Sequence, residues 1–331
     1  MNEPPETEIQ RIVDLIRRHR SFLVTTHVRP DGDAVGSLLA LVFMLRRLRK
    51  KADAHCQDPP PACYEFLPGI ETISTVPPRV SDHEVVILVD CGEPDRVGTA
   101  LVESVRSIPL SINIDHHVPH DPPFGTVSWV KPSAGSTCEM LYDLSLALPL
   151  PLDSEIATQL YTGLLTDTGS FRFSNTTQRV LEVATVLVGA GADPARIAQE
   201  IYDSTSPRGL KLLARALSSA VFLAEDRVAA MVITQKMFEE TGTSPEDSEG
   251  FINHLRSVKT VNLAMLFRQE RDGMVHVSMR SKGLVDVAAL ARRHGGGGHR
   301  HAAAFRVAGG LDRVWEECTA EALEYLRRVE Q

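Results

Sequence analysis

Two rhythms of hydrophobic and polar residues divide this chain. In the first half, short apolar runs alternate with helical periodicity. Phe22-Leu23-Val24-Thr25-Thr26 reads as a strand, and over 36–49 the apolar Leu38, Val42, Leu45 and Leu48 recur at helical spacing. Further strands are predicted at 52–56, 85–89 and 111–114. Val85-Val86-Ile87-Leu88-Val89 is apolar on both faces, as expected of a central parallel strand covered by helices. Helices are predicted over 136–147, over 153–167 with Gly169 closing the turn, and over 177–189. Strands alternating with helices predict a doubly wound parallel α/β sheet.

Beyond about residue 190 the rhythm changes. Residues 207–223 read as a helix that connects two domains, and strands are predicted at 228–234, 261–267, 275–279 and 303–307. A short helix over 286–293 leads into Gly295-Gly296-Gly297-Gly298-His299, and a terminal helix follows from Leu311. Consecutive strands with few helices between them predict a smaller mixed α+β domain. The expected organisation is an α/β domain at 1–190, a helical linker at 191–224 and the α+β domain at 225–331.

At 331 residues with 43% hydrophobic positions, the chain is long enough to bury two cores. Residues 1–20 are acidic and then amphipathic, and no apolar stretch reaches the length of a membrane span. The expectation is a cytoplasmic protein without a membrane partner. Its five cysteines are scattered with no CxxC pair, against both a disulfide framework and a zinc ribbon. The net charge of -8 argues against coating long duplex nucleic acid, so any such partner is short or gripped locally.

Candidate chemistry gathers where the predicted elements end. His27 with Asp31 and Asp33, Asp90, the triplet Asp115-His116-His117, and Asp167 each follow or close an apolar element. In open α/β sheets such positions converge on one crevice at the carboxyl ends of the strands. Oxygen and imidazole donors without thiolate suit Mn²⁺ or Mg²⁺ ahead of structural Zn²⁺. Clustered aspartates repel one another unless cations neutralise them. Two divalent ions about 3.5–4 Å apart are one known solution, used for phosphoryl hydrolysis. Plainer roles exist for each residue alone: Asp33 suits the N-cap of a helix beginning near Gly36, Asp167 a helix end, and His27 a surface position.

As a set, these residues resemble the DHH phosphoesterase superfamily. The resemblance rests on His27-Val28-Arg29-Pro30-Asp31-Gly32-Asp33-Ala34-Val35-Gly36-Ser37, Val89-Asp90, Asp115-His116-His117 and Leu165-Thr166-Asp167-Thr168-Gly169. The glycine run ending in His299, preceded by Ser278-Met279-Arg280-Ser281, resembles the associated DHHA1 substrate domain. Ser136-Thr137-Cys138-Glu139-Met140 and Thr168-Gly169-Ser170-Phe171-Arg172-Phe173-Ser174 are similar to the bacterial NrnA group, bifunctional oligoribonucleases and 3′-phosphoadenosine 5′-phosphate phosphatases. One departure is visible: Ala304 stands where that group's glycine-rich motif usually has a further glycine.

The resemblance implies two divalent ions, Mn²⁺ first with Mg²⁺ or Co²⁺ also suitable. His27 and Asp31 would hold one, Asp33, His116 and Asp167 the other, and Asp90 would bridge. It also implies that Asp115 orients a neighbour and that His117 meets the phosphate or protonates the leaving group. Arg280, Ser281, Gly296, Gly297, Gly298 and His299 would grip the substrate. The implied reaction is hydrolysis of short RNA or DNA oligonucleotides to 5′-mononucleotides, with 3′-phosphoadenosine 5′-phosphate and linear cyclic-dinucleotide products such as pGpG as alternative substrates. A homodimer is an ordinary expectation for such a chain. Family II pyrophosphatases, RecJ-type exonucleases and membrane-type cyclic-dinucleotide hydrolases fit less well, since each carries a segment that this chain does not match. A nucleotide-binding regulator without turnover is disfavoured because every expected metal ligand is present.

Overall fold

The computed structural model describes residues 7–118 and 124–329. They divide into two units between Ser204 and Thr205. The first opens with α1 (Glu8–Arg18), capped by the Thr7 side chain and buried along Ile12, Val13 and Ile16. There follow β1 (Ser21–Thr25), α2 (Gly32–Arg47), β2 (Lys51–His55), β3 (Ile73–Ser74), β4 (Val85–Val89), α3 (Val102–Ser107), β5 (Leu110–Asp115) and β6 (Val127–Val130). Four helices close the unit: α4 (Thr137–Ala147), α5 (Ser154–Asp167), α6 (Gln178–Gly189) and α7 (Pro194–Tyr202).

The six strands are parallel and ordered β3-β2-β1-β4-β5-β6. Alternate residues of the central strands face opposite cores. Phe22, Val24, Ile87, Val89 and Ile112 pack with α2, α4 and α5, whereas Leu23, Val86 and Leu88 pack with Val97, Leu101 and Val105. Both faces of β4 are therefore dry, which is why its sequence is apolar without alternation. The strand order reverses between β1 and β4, and such a switch point is where open α/β sheets bind ligands, at the carboxyl ends of the strands.

The second unit contains α8 (Pro207–Ser218), β7 (Val221–Leu223), β8 (Val228–Ile233), α9 (Gln235–Thr241), α10 (Ile252–Ser257), β9 (Leu263–Gln269), β10 (Met274–Ser281), α11 (Val287–Arg293), β11 (Gly297–His299), β12 (Ala302–Ala308) and α12 (Leu311–Val329). Its sheet runs β11-β12-β10-β9-β8-β7, with β8 and β9 parallel and the other pairs antiparallel. Val275, Val277 and Met279 turn inward from β10 toward Val314, Cys318 and Ala322 of α12. The opposite core joins Met231 and Ile233 to Leu212, Ala216, Phe238 and Leu255.

The central α/β and α+β patterns match the sequence expectation, with local differences. The helix expected over 207–223 stops at Ser218, because Val221-Phe222-Leu223 pairs with β8 as an edge strand. Residues 191–224, expected as one linker, are shared between the units: Ile197 of α7 joins the first core, Leu212 of α8 the second. α2 begins at Gly32 rather than near Gly36, since Asp31 caps it.

Candidate metal centre

The turn after β1 assigns its two aspartates different tasks. Asp31 Oδ1 accepts the N–H groups of Asp33 and Ala34, each at 3.1 Å, and so caps α2. Asp33, which could have been that cap, sits in the first turn instead and aims its carboxylate across to α4. There Oδ2 accepts Thr137 N–H at 2.6 Å and Oδ1 accepts Cys138 N–H at 3.0 Å.

Asp90 is the first residue beyond β4 and takes a left-handed backbone, φ 55°. For a residue with a Cβ this conformation costs about 1–2 kcal/mol. Strain of this kind persists where neighbours over-determine it, commonly at functional sites. Thr137 Oγ1 donates to Asp90 Oδ1 at 3.0 Å, and His27 Nε2 lies 3.5 Å from Asp90 Oδ2.

Both buried histidines of the centre are aimed by backbone carbonyls. His27 Nδ1 donates to Val28 O at 2.9 Å and His116 Nδ1 to Ala134 O at 3.3 Å, so each ring turns Nε2 toward the carboxylates. His116 Nε2 lies 3.5 Å from Asp167, 3.6 Å from Asp90 and 3.8 Å from Asp33. His117 departs from this pattern: its Nδ1 donates to Asp115 Oδ1 at 2.7 Å.

Glycines let α2 and α5 approach closely enough to bring Asp33 and Asp167 together. A Cβ at Gly163 would lie 2.6 Å from Asp33 Oδ1 and 2.3 Å from Cys138 Sγ, and one at Gly36 would lie 2.5 Å from Gln159 O. Asn175 Nδ2 then ties the end of α5 to the start of α4, donating to Asp167 Oδ2 (3.3 Å) and Gly135 O (2.8 Å).

Three donor groups result, each with its ligand atoms within 4.8 Å of one another: His27–Asp31–Asp90, Asp33–His116–Asp167 and Asp90–His116–His117. All six expected metal ligands are thus together, and Asp90 and His116 each belong to two of the groups. Ligands at about 2.1 Å around one ion stand roughly 3 Å apart, close to the spacing around His116. Electrostatics point the same way. Burial, reinforced by Asp90, pushes Asp33 up to about 7, and burial with Asp33 and Asp31 outweighs His116 to push Asp167 up to about 8. Burial also acts on His116, yet Asp167, Asp90 and Asp33 overcome it and raise the imidazole to about 9. Asp90 is buried too, but the His27 hydrogen bond and the nearby His117 and His116 hold it well below the usual carboxylate range. These are the strains that a divalent cation relieves. Burial holds the neighbouring Cys138 thiol well above its ordinary value, so it stays protonated and the donor set remains oxygen and nitrogen. The fit to a hard or borderline divalent ion is good.

The sequence model of the DHH family, N-terminal domain, matches residues 21–164, and that of the DHHA1 domain matches 226–330. The bifunctional oligoribonuclease and PAP phosphatase NrnA of Thermus thermophilus is 36% identical over 330 residues, covering 99% of this chain and 97% of its own. This chain belongs to the DHH family. The Bacillus subtilis NrnA is 29% identical, with 89% of this chain and 90% of its own covered. Among solved structures, an exopolyphosphatase-related protein from Bacteroides fragilis superposes with a TM-score of 0.88 at 25% identity, covering 98% of both chains. The DHH chain is accordingly a hydrolase whose acidic and histidine residues are placed to bind metal.

Its DHHA1 domain treats the expected substrate residues unequally. Gly297-Gly298-His299 is an edge strand paired with β12, not an open loop, and the His299 side chain lies outside the described residues. Gly296 N–H is taken by Ala291 O at 2.9 Å, and a Cβ there would lie 2.3 Å from Ala304 O. Ser281 is buried; its hydroxyl donates to Val285 O at 2.7 Å and accepts from His301 Nδ1 at 2.9 Å. Gly296 N–H and the Ser281 hydroxyl therefore serve the frame. Arg280 lies on β10 in register with Ala302, one strand from β11. Ala304, the visible departure in sequence, pairs with both Gly297 and Ser278.

Several residues of the centre escaped sequence reasoning. Thr137, Gly163 and Asn175 bear no metal-seeking group, and their partners are distant in sequence. Arg96 is another: its carbonyl accepts Val28 N–H at 2.8 Å, and its charge, with burial, opposes the rise in the His27 pKa that Asp90 and Asp31 bring about. Thr137 lies inside Ser136-Thr137-Cys138-Glu139-Met140, the stretch similar to the NrnA group, though its contacts were not legible there, and the signal for Arg96 was its proximity to Val89-Asp90. Among the described residues no helix is long and apolar enough to cross a membrane.

Proposed function

We propose that this chain is a divalent-metal-dependent phosphoesterase that hydrolyses oligoribonucleotides of a few residues to 5′-mononucleotides. The observation that carries the reading is the convergence of Asp33, Asp90 and Asp167 within 3.5–3.8 Å of His116 Nε2. It is supported by relatives named as oligoribonuclease and PAP phosphatase across nearly the whole length of this chain.

In this reading His27 and Asp31 would hold one ion, Asp33, His116 and Asp167 the other, and Asp90 would serve both groups. Mn²⁺ matches the mixed oxygen and imidazole set best, with Mg²⁺ or Co²⁺ able to serve. When bound, such ions would supply Lewis-acid charge at the phosphoryl oxygens and lower the pKa of a water. Asp115 fixes the tautomer and direction of His117, which gives a proton to the departing oxygen. Arg280, the outer edge of Gly297 and Gly298, and His299 take the substrate's terminal phosphate through charge-assisted and backbone donors. Ser281 and Gly296 support that surface from beneath.

The reading is tested by incubating the purified protein with Mn²⁺ and a labelled RNA dinucleotide. Release of 5′-mononucleotide is expected, and its absence from folded, metal-loaded protein refutes the proposal. Removing the shared ligand in Asp90→Ala should abolish hydrolysis, and a tenth of wild-type activity retained would contradict that role. A second substrate, 3′-phosphoadenosine 5′-phosphate, is favoured by the double naming of both relatives. Parallel assays with that nucleotide and with pGpG rank the substrates.

A further inference from the structure

Thr137, the first residue of α4, touches both halves of the centre and is fully buried. Its backbone N–H donates to Asp33 Oδ2 at 2.6 Å, and its hydroxyl donates to Asp90 Oδ1 at 3.0 Å. The next N–H, that of Cys138, holds the other oxygen of Asp33 at 3.0 Å. Asp33 groups with His116 and Asp167, whereas Asp90 groups with His27 and Asp31 and, in a further set, with His116 and His117. One residue therefore spans the two donor groups.

The two contacts constrain different things. Asp33 is held by backbone at a helix start, where the partial positive charge of the first turn favours a carboxylate whatever side chain stands at 137. Asp90 leaves β4 in a left-handed conformation, so the regular geometry of the strand does not direct its side chain. The Thr137 hydroxyl supplies that direction at Oδ1, while His27 Nε2 stands 3.5 Å from Oδ2 as a ligand of the same group. Each carboxylate oxygen carries two lone pairs, so one hydrogen bond on Asp90 Oδ1 still leaves acceptor capacity for a cation. The hydroxyl thus orients the shared ligand without occupying it.

We propose that Thr137 is a positioning residue that locks Asp90 between the two donor groups, so that two ions bind as a bridged pair and not as independent ions. The inference rests on the two-ion reading above. Its consequence is selective, because losing the hydroxyl leaves the backbone grip on Asp33 intact. The Asp33–His116–Asp167 group keeps its ion, and the pairing is what fails.

The test loads wild type, Thr137→Val and Thr137→Ser with Mn²⁺ and reads binding by calorimetry and pairing by electron paramagnetic resonance. Valine keeps the shape and removes the hydroxyl; serine keeps the hydroxyl. Wild type and Thr137→Ser should show two ions per chain and a spin-coupled multiline spectrum. Thr137→Val should retain one ion, bind the second about tenfold or more weakly, and show an uncoupled six-line spectrum. Thermal unfolding checks the fold, and Thr137→Ala replaces the valine variant if that one does not fold. A coupled pair of unchanged affinity in the variants lacking the hydroxyl overturns the role of Thr137, as does loss of coupling in Thr137→Ser. A wild-type protein with no coupled pair overturns the two-ion reading and this inference together.

Discussion

Asp115 Oδ1 accepts a hydrogen bond from His117 Nδ1 at 2.7 Å, while the adjacent His116 directs its own Nδ1 to the backbone carbonyl of Ala134. Neighbouring imidazoles are therefore committed to different work. His116 is buried with Nε2 among three carboxylates; His117 is partly exposed, with Nδ1 hydrogen-bonded to Asp115 and 3.6 Å from Asp90 Oδ1. The expected result is a split between two variants. His116→Ala should lose bound metal, read as a lower Mn²⁺ stoichiometry. His117→Ala should keep both ions and lower kcat by about a hundredfold to ten-thousandfold, the range for a lost general acid. Equal metal loss in both variants would show that His117 is a ligand and not a proton donor.

Above pH 6.5 the shifted groups that still titrate in the metal-free centre, Asp33, Asp167 and His116, act in one direction. Asp33 and Asp167 stand at about 7 and about 8 against an ordinary 3.8, so the folded chain holds their protons more tightly than the unfolded chain. The stability this provides is lost as pH rises through those values. His116, raised from 6.5 to about 9 by the surrounding carboxylates against its burial, stabilises the fold below 6.5 and loses that contribution on the way to 9. His27 is shifted in the same direction, whereas Asp90 and Asp115 are lowered and titrate only in acid. With chelator present, the unfolding midpoint should fall by several degrees between pH 6.5 and 9. Added Mn²⁺ should flatten the profile, because bound cations replace the protons. Asp167→Asn should unfold later than wild type at pH 9 in chelator and gain less from Mn²⁺. A metal-free midpoint that rises over this interval would contradict the assignment.

The positions that announce themselves in the sequence are those where a periodic element ends on a polar residue. Val85–Val89 is dry on both faces, so Asp90 at its end stands out, and Asp115 after the β5 run does the same. The doubly wound sheet was legible for that reason. What stayed hidden was whatever depends on contacts between distant segments. Thr137 meets Asp33 across 104 positions, and a threonine at a helix start looks like any capping-region residue. β3 has two residues and β6 four, too few for a period to show. β11 was obscured by its glycines, which carry little strand propensity and pair only because β12 offers an edge. Asp31 and Asp33 are separated by a single residue, and only the folded turn reveals which one caps α2.

Gly163 illustrates such a contact and yields a sharp expectation. A methyl group there would press on Asp33 Oδ1 at 2.6 Å, the Asp33 Cα at 3.0 Å and Cys138 Sγ at 2.3 Å. α2 and α5 would have to separate. Gly163→Ala should destabilise by about 1–3 kcal/mol, the usual cost of overpacking, and weaken metal binding because Asp33 moves with its helix. Gly189→Ala is the control, since a Cβ there has nothing within 4 Å and alanine favours a helix. It should unfold at or above the wild-type temperature with Mn²⁺ binding unchanged. Similar behaviour of the two variants would mean that the α2–α5 approach does not set the geometry of the centre.

With the role proposed for it, Arg280 offers a test that separates substrate grip from metal chemistry. The donor groups all lie between His27 and Asp167, whereas Arg280 is on β10 of the DHHA1 domain, in register with Ala302 beside the glycine edge strand. A charge-assisted hydrogen bond to phosphate contributes about 1.5–3 kcal/mol, and roughly 1.4 kcal/mol is a factor of ten. Arg280→Ala should therefore raise KM for a dinucleotide by about tenfold to a hundredfold, with Mn²⁺ stoichiometry and the resonance spectrum unaltered. Lysine keeps the charge but not the fork geometry, so Arg280→Lys should recover only part of the loss. Steady-state kinetics on a dinucleotide and on 3′-phosphoadenosine 5′-phosphate decide the matter. If kcat falls while KM holds for both substrates, Arg280 acts in the chemical step and the terminal phosphate is gripped elsewhere.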